Sequence, residues 1–232
     1  MNAVIEYAPL LWQGLLTTLM VTVLGGALCL VVAFAAGLAR LSRHRILRWP
    51  AGVFIEVFRG TSLLVQMFWL FFALPFFGIQ LHPLTAAVLA LGLNEGAYAA
   101  EVVRGAIASR AKGQTEACIA LGMEPALRLR RIIIPQSIPA MLPPFGNVMV
   151  DLLKNTSLVS LVTVADLTFS AQMIRSTTGQ TTAIFTTILV MYFVLSYLLT
   201  LLTAWLEKRF ALDRKALTLQ KKENILMKVG AA

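Results

Sequence analysis

The sequence predicts an all-α membrane protein with five transmembrane helices, its N-terminus outside and its C-terminus in the cytoplasm. Three observations carry this reading. The 232 residues are 58% hydrophobic and only 13% charged, with a mean hydropathy of +0.78, far too apolar for an ordinary soluble domain. The apolar residues fall into long runs, most of them long enough to cross a bilayer, separated by polar blocks. Of the 20 lysines and arginines, 17 fall in the blocks 40–52, 104–135 and 207 onward, which five spans place on one side, as the positive-inside rule requires of a cytoplasmic face. Topology therefore accounts for the net charge of +9. The cations are not interleaved with aromatic residues on a soluble surface, so no nucleic-acid partner is expected.

The elements follow in order. Residues 10–38 form the first apolar run, a retained helix and not a cleaved leader, longer than the roughly 20 residues a span needs. Gly14, Gly25, Gly26 and Gly37 read as close-packing positions. The stretch 52–60, with Glu56 and Arg59 as interfacial anchors, reads as a membrane-surface turn that feeds a second span over 62–79. Pro75, Gly78 and Pro83 mark a short outer loop, and the third span, 84–108, carries Asn94 and Glu95 halfway along. Glu101 and Arg104, three residues apart, share a helix face and are expected to pair. The fourth span starts near Pro135 and runs through Pro139, Pro143 and Pro144 to about 153, since membrane helices tolerate proline where neighbours satisfy the freed carbonyls. Residues 154–180 mix polar and apolar side chains and read as short helices or a partly re-entrant hairpin. The last span covers about 182–206. The chain thus divides into a membrane domain, 1–210, with a cytoplasmic loop at about 109–135, and a cytoplasmic tail, 211–232.

The loop 109–135 reads as a soluble lever. Its residues Glu116, Ala117 and Cys118 are followed by Gly122, where the backbone turns sharply, and by Pro125, suited to the first turn of a new helix. No Gly-x-x-x-x-Gly-Lys-Ser/Thr stretch occurs, so no phosphate-binding loop of that kind is present and ATP, if used, belongs to a partner subunit. Neither a nucleophile and base set nor a metal-ligand spacing is present in the sequence, so neither catalytic nor metal residues are assigned. Cys29 and Cys118 read as small packing residues.

These residues resemble a known family. Glu116, Ala117, Gly122, Ile132 and Pro135 fall at the spacing of the Glu-Ala-Ala loop motif of permease subunits of ATP-binding-cassette importers, with Cys118 in place of the second alanine and Ile134 in place of leucine. The runs 58–66, 97–105, 112–114 and 152–158 resemble the polar amino acid branch, and within it the ectoine and hydroxyectoine permeases. The resemblance, from about Trp12 to Arg209, implies the type I importer permease fold in a bacterial inner membrane, with a coupling helix at about 114–122 docked in a groove of an ATPase subunit. It also implies a second permease chain, identical or not, and an extracytoplasmic binding protein that delivers a small zwitterionic solute.

Glu95 lies 12 residues after Pro83 and nine before Arg104, near the bilayer midplane. A carboxylate there is a functional hypothesis by default. Two readings stay open: it receives a cationic group of the solute, or it pairs with Lys154 or a residue of the partner chain. Asn94, Asp151, Lys154, Asn155 and Thr156 are the other candidates for the path, with stabilisation of the kinked helix end as their structural alternative. The aromatic series from Phe68 to Phe77 reads as packing or lipid-facing. The rival to an ATP-driven permease is an ion-coupled secondary transporter or channel that uses Glu95.

Overall fold

A computed structural model describes residues 6–210, so the tail 211–232 lies outside the described residues. Helix α1, Ala8–Arg40, packs along α4, Pro83–Ala108. Gly25 meets Leu91, Gly92 meets Leu28, and Gly37 meets Ala100 and Val103, so sequence numbers rise together and the two helices run parallel. At Gly37 a β-carbon would lie 2.8 Å from the Ala100 carbonyl oxygen, so a side chain there would hold the helices apart. Helix α7, Ile134–Asn155, runs the other way: Phe34 stacks on Phe145 and Gly25 touches Leu152.

Because α1 and α4 are parallel, the chain between them must return across the bundle. It does so as a broken span. Helix α2, Arg45–Gly60, and the segment Leu63–Phe77, which begins with α3, Leu63–Phe68, meet at 105°. After α4 come the short α5, Lys112–Ala120, and α6, Pro125–Arg128, which continues through a π-helical turn, Leu129–Ile133, into α7. That turn precedes Pro135, whose missing N–H removes one rung of the α-helical ladder, and a widened turn absorbs the loss. Beyond α7 a 3-10 turn, Thr156–Val162, leads into α8, Leu167–Thr178, with a bend of 51°. Helix α9, Thr181–Phe210, closes the described chain. Three helices are long and apolar enough to cross a membrane, and five crossings result if each bent pair counts as one.

The apolar core lies in three patches. One joins Ala33, Val103, Ile107, Ile133 and Phe145 at the arginine-rich end. A second joins Val21, Met67, Leu91, Val159 and Val162. The third joins Leu11, Leu167, Ile174 and Ile184. Helix α4 is central, with 67% of its most apolar window buried, whereas only 11% of that of α9 is buried, as befits a peripheral, lipid-facing helix. Phe72, Phe76 and Phe77 are exposed, and Phe68 and Phe71 pack on the second patch. Asp166 caps α8 by accepting from the Phe169 N–H at 2.8 Å and also accepts from the Tyr192 hydroxyl, while Thr18 accepts from the Leu167 N–H. These bonds tie α1, α8 and α9 together without leaving that buried carboxylate unpartnered.

The bend between α2 and α3 corrects the sequence reading. It was expected at the membrane surface, but the Phe58 carbonyl accepts from the Asn94 side chain at 2.9 Å, and Asn94 lies about halfway along α4. The Gly60-Thr61-Ser62 run is therefore carried to mid-depth, while the Arg59 side chain reaches back over Tyr98 toward Arg104. The buried Asn94 of α4 and the half-buried Gln66 of α3 satisfy the broken ladder there, a signal that no local window of sequence contains.

Candidate functional site

The site is built on two adjacent polar residues in the most buried helix. A helix turns about 100° per residue, so Asn94 and Glu95 aim at different neighbours. Asn94, 5% exposed, donates to the Phe58 carbonyl at 2.9 Å and to the Gln66 side-chain oxygen at 3.1 Å. The Gln66 amide donates in turn to the same carbonyl at 2.9 Å and to the Thr61 hydroxyl at 2.6 Å. Phe58 is one of the last residues of α2, whose carbonyls have no helical partner, so this network replaces the ladder lost at the bend. Glu95, also 5% exposed, accepts from the Asn155 side chain on α7 at 2.9 Å.

Between the bend, α4 and the end of α7 lies a cavity of about 430 Å³, of a size for a small solute. Its wall includes Thr61, Ser62, Asn94, Glu95, Tyr98, Asp151, Lys154 and Asn155. Lys154 and Asp151, one turn apart on α7, form an exposed pair at 3.9 Å. Five of the six path residues expected from sequence thus meet at one cavity. Thr156 does not: it is fully buried and donates to the Leu153 carbonyl at 2.7 Å. The pairing of Glu95 with Lys154 within the chain is also not what the structure has, since Asn155 is the partner of Glu95 and Asp151 that of Lys154. Sequence reasoning did not assign Gln66 and Tyr98 to the site. Gln66 was visible as a polar side chain in an apolar run, and Tyr98 as a residue three positions after Glu95, on the same face.

The coupling segment stands apart from the core. Helix α5 runs over Lys112–Ala120, two residues earlier than expected. Glu116 and Ala117 are exposed, and Cys118 is buried at 5%. Its end is a Schellman turn: Gly122 N–H donates to Ile119 and Met123 N–H to Cys118. Gly122 holds φ +70°, the left-handed region that glycine occupies at no steric cost. Ile132 lies in the widened turn, and Pro135 in the first turn of α7. Two bonds tie the lever to α7: Arg110 donates to the Gln136 carbonyl at 3.0 Å, and the Gln136 amide reaches the Gln114 side chain of α5 at 3.5 Å. The expected Glu101–Arg104 pair is present at 2.7 Å.

A broken-span bundle with a solute-sized cavity beside the bend and a short helix standing off the core has the architecture of a membrane permease. The family model described as binding-protein-dependent transport system inner membrane component matches residues 29–212. The chain is 42% identical over 208 residues to a probable amino-acid ABC transporter permease of Sinorhizobium fredii, covering 87% of each. It is 39% identical to the L-cystine permease TcyB of Bacillus subtilis and to the glutamine permease GlnP of Escherichia coli, covering 90% of this chain and 89% and 96% of theirs. Among solved structures, an amino acid ABC transporter with histidines matches with a TM-score of 0.84 at 36% identity, covering 90% of this chain and 97% of that one. The MetNI methionine transporter, at 20% identity and a TM-score of 0.77, shares the fold. This chain belongs to the family of binding-protein-dependent transport system inner membrane components, the multi-pass permeases of ATP-binding-cassette importers.

Proposed function

We propose that the chain translocates a small zwitterionic solute, a polar amino acid or an ectoine-type compound, by alternating access driven by ATP hydrolysis on a separate subunit. The observation that carries this reading is the position of α7. Its first turn is bonded to the lever through Gln136, and its last turn supplies Asp151, Lys154 and Asn155 to the cavity. The two ends lie 19 residues apart, roughly 28 Å at 1.5 Å per residue. A push on α5 would therefore reach the solute cavity through one continuous helix. Glu116, Ala117, Cys118, Gly122, Ile132 and Pro135 form the coupling surface, on the cytoplasmic side where the arginines gather, and the ATPase subunit binds the nucleotide.

In the cavity, Glu95 and Asp151 receive the cationic group of the solute, and Lys154 its carboxylate. Relatives named for glutamine and L-cystine transport support the amino-acid class, and a carboxylate at Glu95 suits the amidinium of an ectoine-type solute equally. A second permease chain and an extracytoplasmic binding protein complete the assembly. The test is a solute panel titrated against the cognate binding protein, followed by uptake into vesicles. Saturable binding of a zwitterion, with uptake that stops when the ATPase subunit is inactivated, is the expected result. Uptake that persists without ATP hydrolysis would instead establish an ion-coupled carrier working through Glu95.

A further inference from the structure

A second cavity, about 870 Å³, opens at the arginine-rich end, between the last turns of α1 and α4 and one face of α2. Its wall carries Arg40, Arg48, Arg59, Arg104, Glu56 and Glu101. Glu101 is already satisfied, accepting two bonds from Arg104 at 2.9 and 2.7 Å through one oxygen and a third at 3.0 Å through the other. Among the described residues Arg40, Arg48 and Arg59 make no ion pair, so the wall holds four guanidinium groups to two carboxylates, one of them taken by Arg104, while the Arg59 guanidinium lies 5.2 Å over the Tyr98 ring. Like charges gathered beside hydrocarbon repel until an anion joins them. Arg40 lies against α2 at Gly52, where a β-carbon would sit 2.8 Å from its Nη1 and would shift the guanidinium.

The neighbouring face of α2 has the opposite character. Ile46, Trp49, Val53 and Val57 recur at helical spacing and are all exposed, Ile46 at 86% and Trp49 at 71%. At about 100° per residue this stripe lies roughly a third of a turn round the helix from Gly52 and Arg59. An unneutralised arginine cluster beside a continuous apolar stripe matches a ligand with a phosphate at one end and hydrocarbon at the other.

We infer that this cavity binds the headgroup of an anionic phospholipid of the phosphatidylglycerol type. The phosphate sits among Arg40, Arg48 and Arg59, where guanidinium groups offer paired donors. The glycerol hydroxyls donate to Glu56, and the acyl chains lie along Ile46, Trp49, Val53 and Val57. A free anion would use the arginines but leave the stripe without purpose. The site touches neither the solute cavity's carboxylates nor the lever, so it stands or falls independently of the solute reading.

The test uses the complete importer, permease with its ATPase, in detergent. Binding of dioctanoyl phosphatidylglycerol, dioctanoyl phosphatidylcholine and glycerol 3-phosphate is compared by native mass spectrometry. Phosphatidylglycerol is expected to bind selectively, and Arg40→Gln with Arg48→Gln to weaken it about 25-fold, one cation's contribution of about fivefold per arginine. Arg45→Gln removes the same charge from α2 outside the cavity and is expected to leave the affinity unchanged. Should the double variant fail to assemble, Arg48→Gln alone, at an exposed position, is expected to weaken binding about fivefold. Equal weakening by Arg45→Gln, no weakening by the cavity variants, or equal binding of glycerol 3-phosphate would each overturn the assignment.

Discussion

Neighbouring residues in one helix can carry unrelated burdens, and Asn94 and Glu95 do so. Asn94 is a brace: it completes the hydrogen bonding of the Phe58 carbonyl where α2 ends inside the protein. Replacing it with leucine removes two bonds and leaves the Gln66 side-chain oxygen without its donor. A loss of about 1–3 kcal/mol is expected, read as a lower unfolding temperature of the purified complex. Among the described residues Glu95 holds a single hydrogen bond, from Asn155, and it faces the cavity. Glu95→Gln keeps the shape and an acceptor for Asn155 but removes the charge. It is expected to leave assembly intact while cutting uptake of a cationic or zwitterionic solute about tenfold or more; unchanged transport kinetics would assign Glu95 to structure alone. From sequence, both residues were visible as polar side chains in an apolar helix. Their different duties were not, because those depend on which helices stand 100° apart around α4.

Among the elements, the proposed lever and α7 are joined by hydrogen bonds at Gln136. The Schellman turn at Gly122 sets the angle at which the chain leaves α5 toward Pro125 and the base of α7. A β-branched residue at φ +70° is strained by about 1–3 kcal/mol. Nothing in the chain lies within 4 Å of where its β-carbon would sit, so strain and not collision is the effect. Gly122→Val is therefore expected to leave membrane insertion and ATP hydrolysis in place while uptake falls, and equal uptake per ATP hydrolysed would count against the lever. The bond from Gln136 to Gln114 at 3.5 Å is the other link between these segments. Gln136→Leu is expected to lower uptake per ATP hydrolysed without altering solute affinity at the binding protein. The Glu116 to Pro135 motif was visible in the sequence because its residues fall within one stretch of 20. The tie to Gln136 was not, since it joins positions 22 apart that only folding brings together.

At the scale of the molecule, α1 and α4 run parallel and α7 runs against them, with α2 and α3 as the broken return. This alternation places α5 and the arginine-rich ends of α1 and α4 at the same end of the bundle. If that end is cytoplasmic, a crosslinker on Ala117→Cys is expected to reach the ATPase subunit, and an impermeant thiol reagent added outside intact cells is expected to leave that cysteine unlabelled. Labelling from outside would invert the topology and remove the mechanism with it.

Composition and spacing by themselves determined that the chain lives in a bilayer and where its long apolar helices fall, and they set the expectations of a cation-bearing cytoplasmic side and of a lever in the loop 109–135. Each of these depends on burial of apolar residues in hydrocarbon, on charge asymmetry or on short-range geometry, all of which are written locally. Only the tertiary structure decided that the 105° bend sits at mid-depth, that Asn94 braces it, and that Glu95 meets Asn155 and not Lys154. Inside a membrane every polar group must find a partner within the protein, and which partner it finds is settled by how the helices pack, not by the order of residues along any one of them.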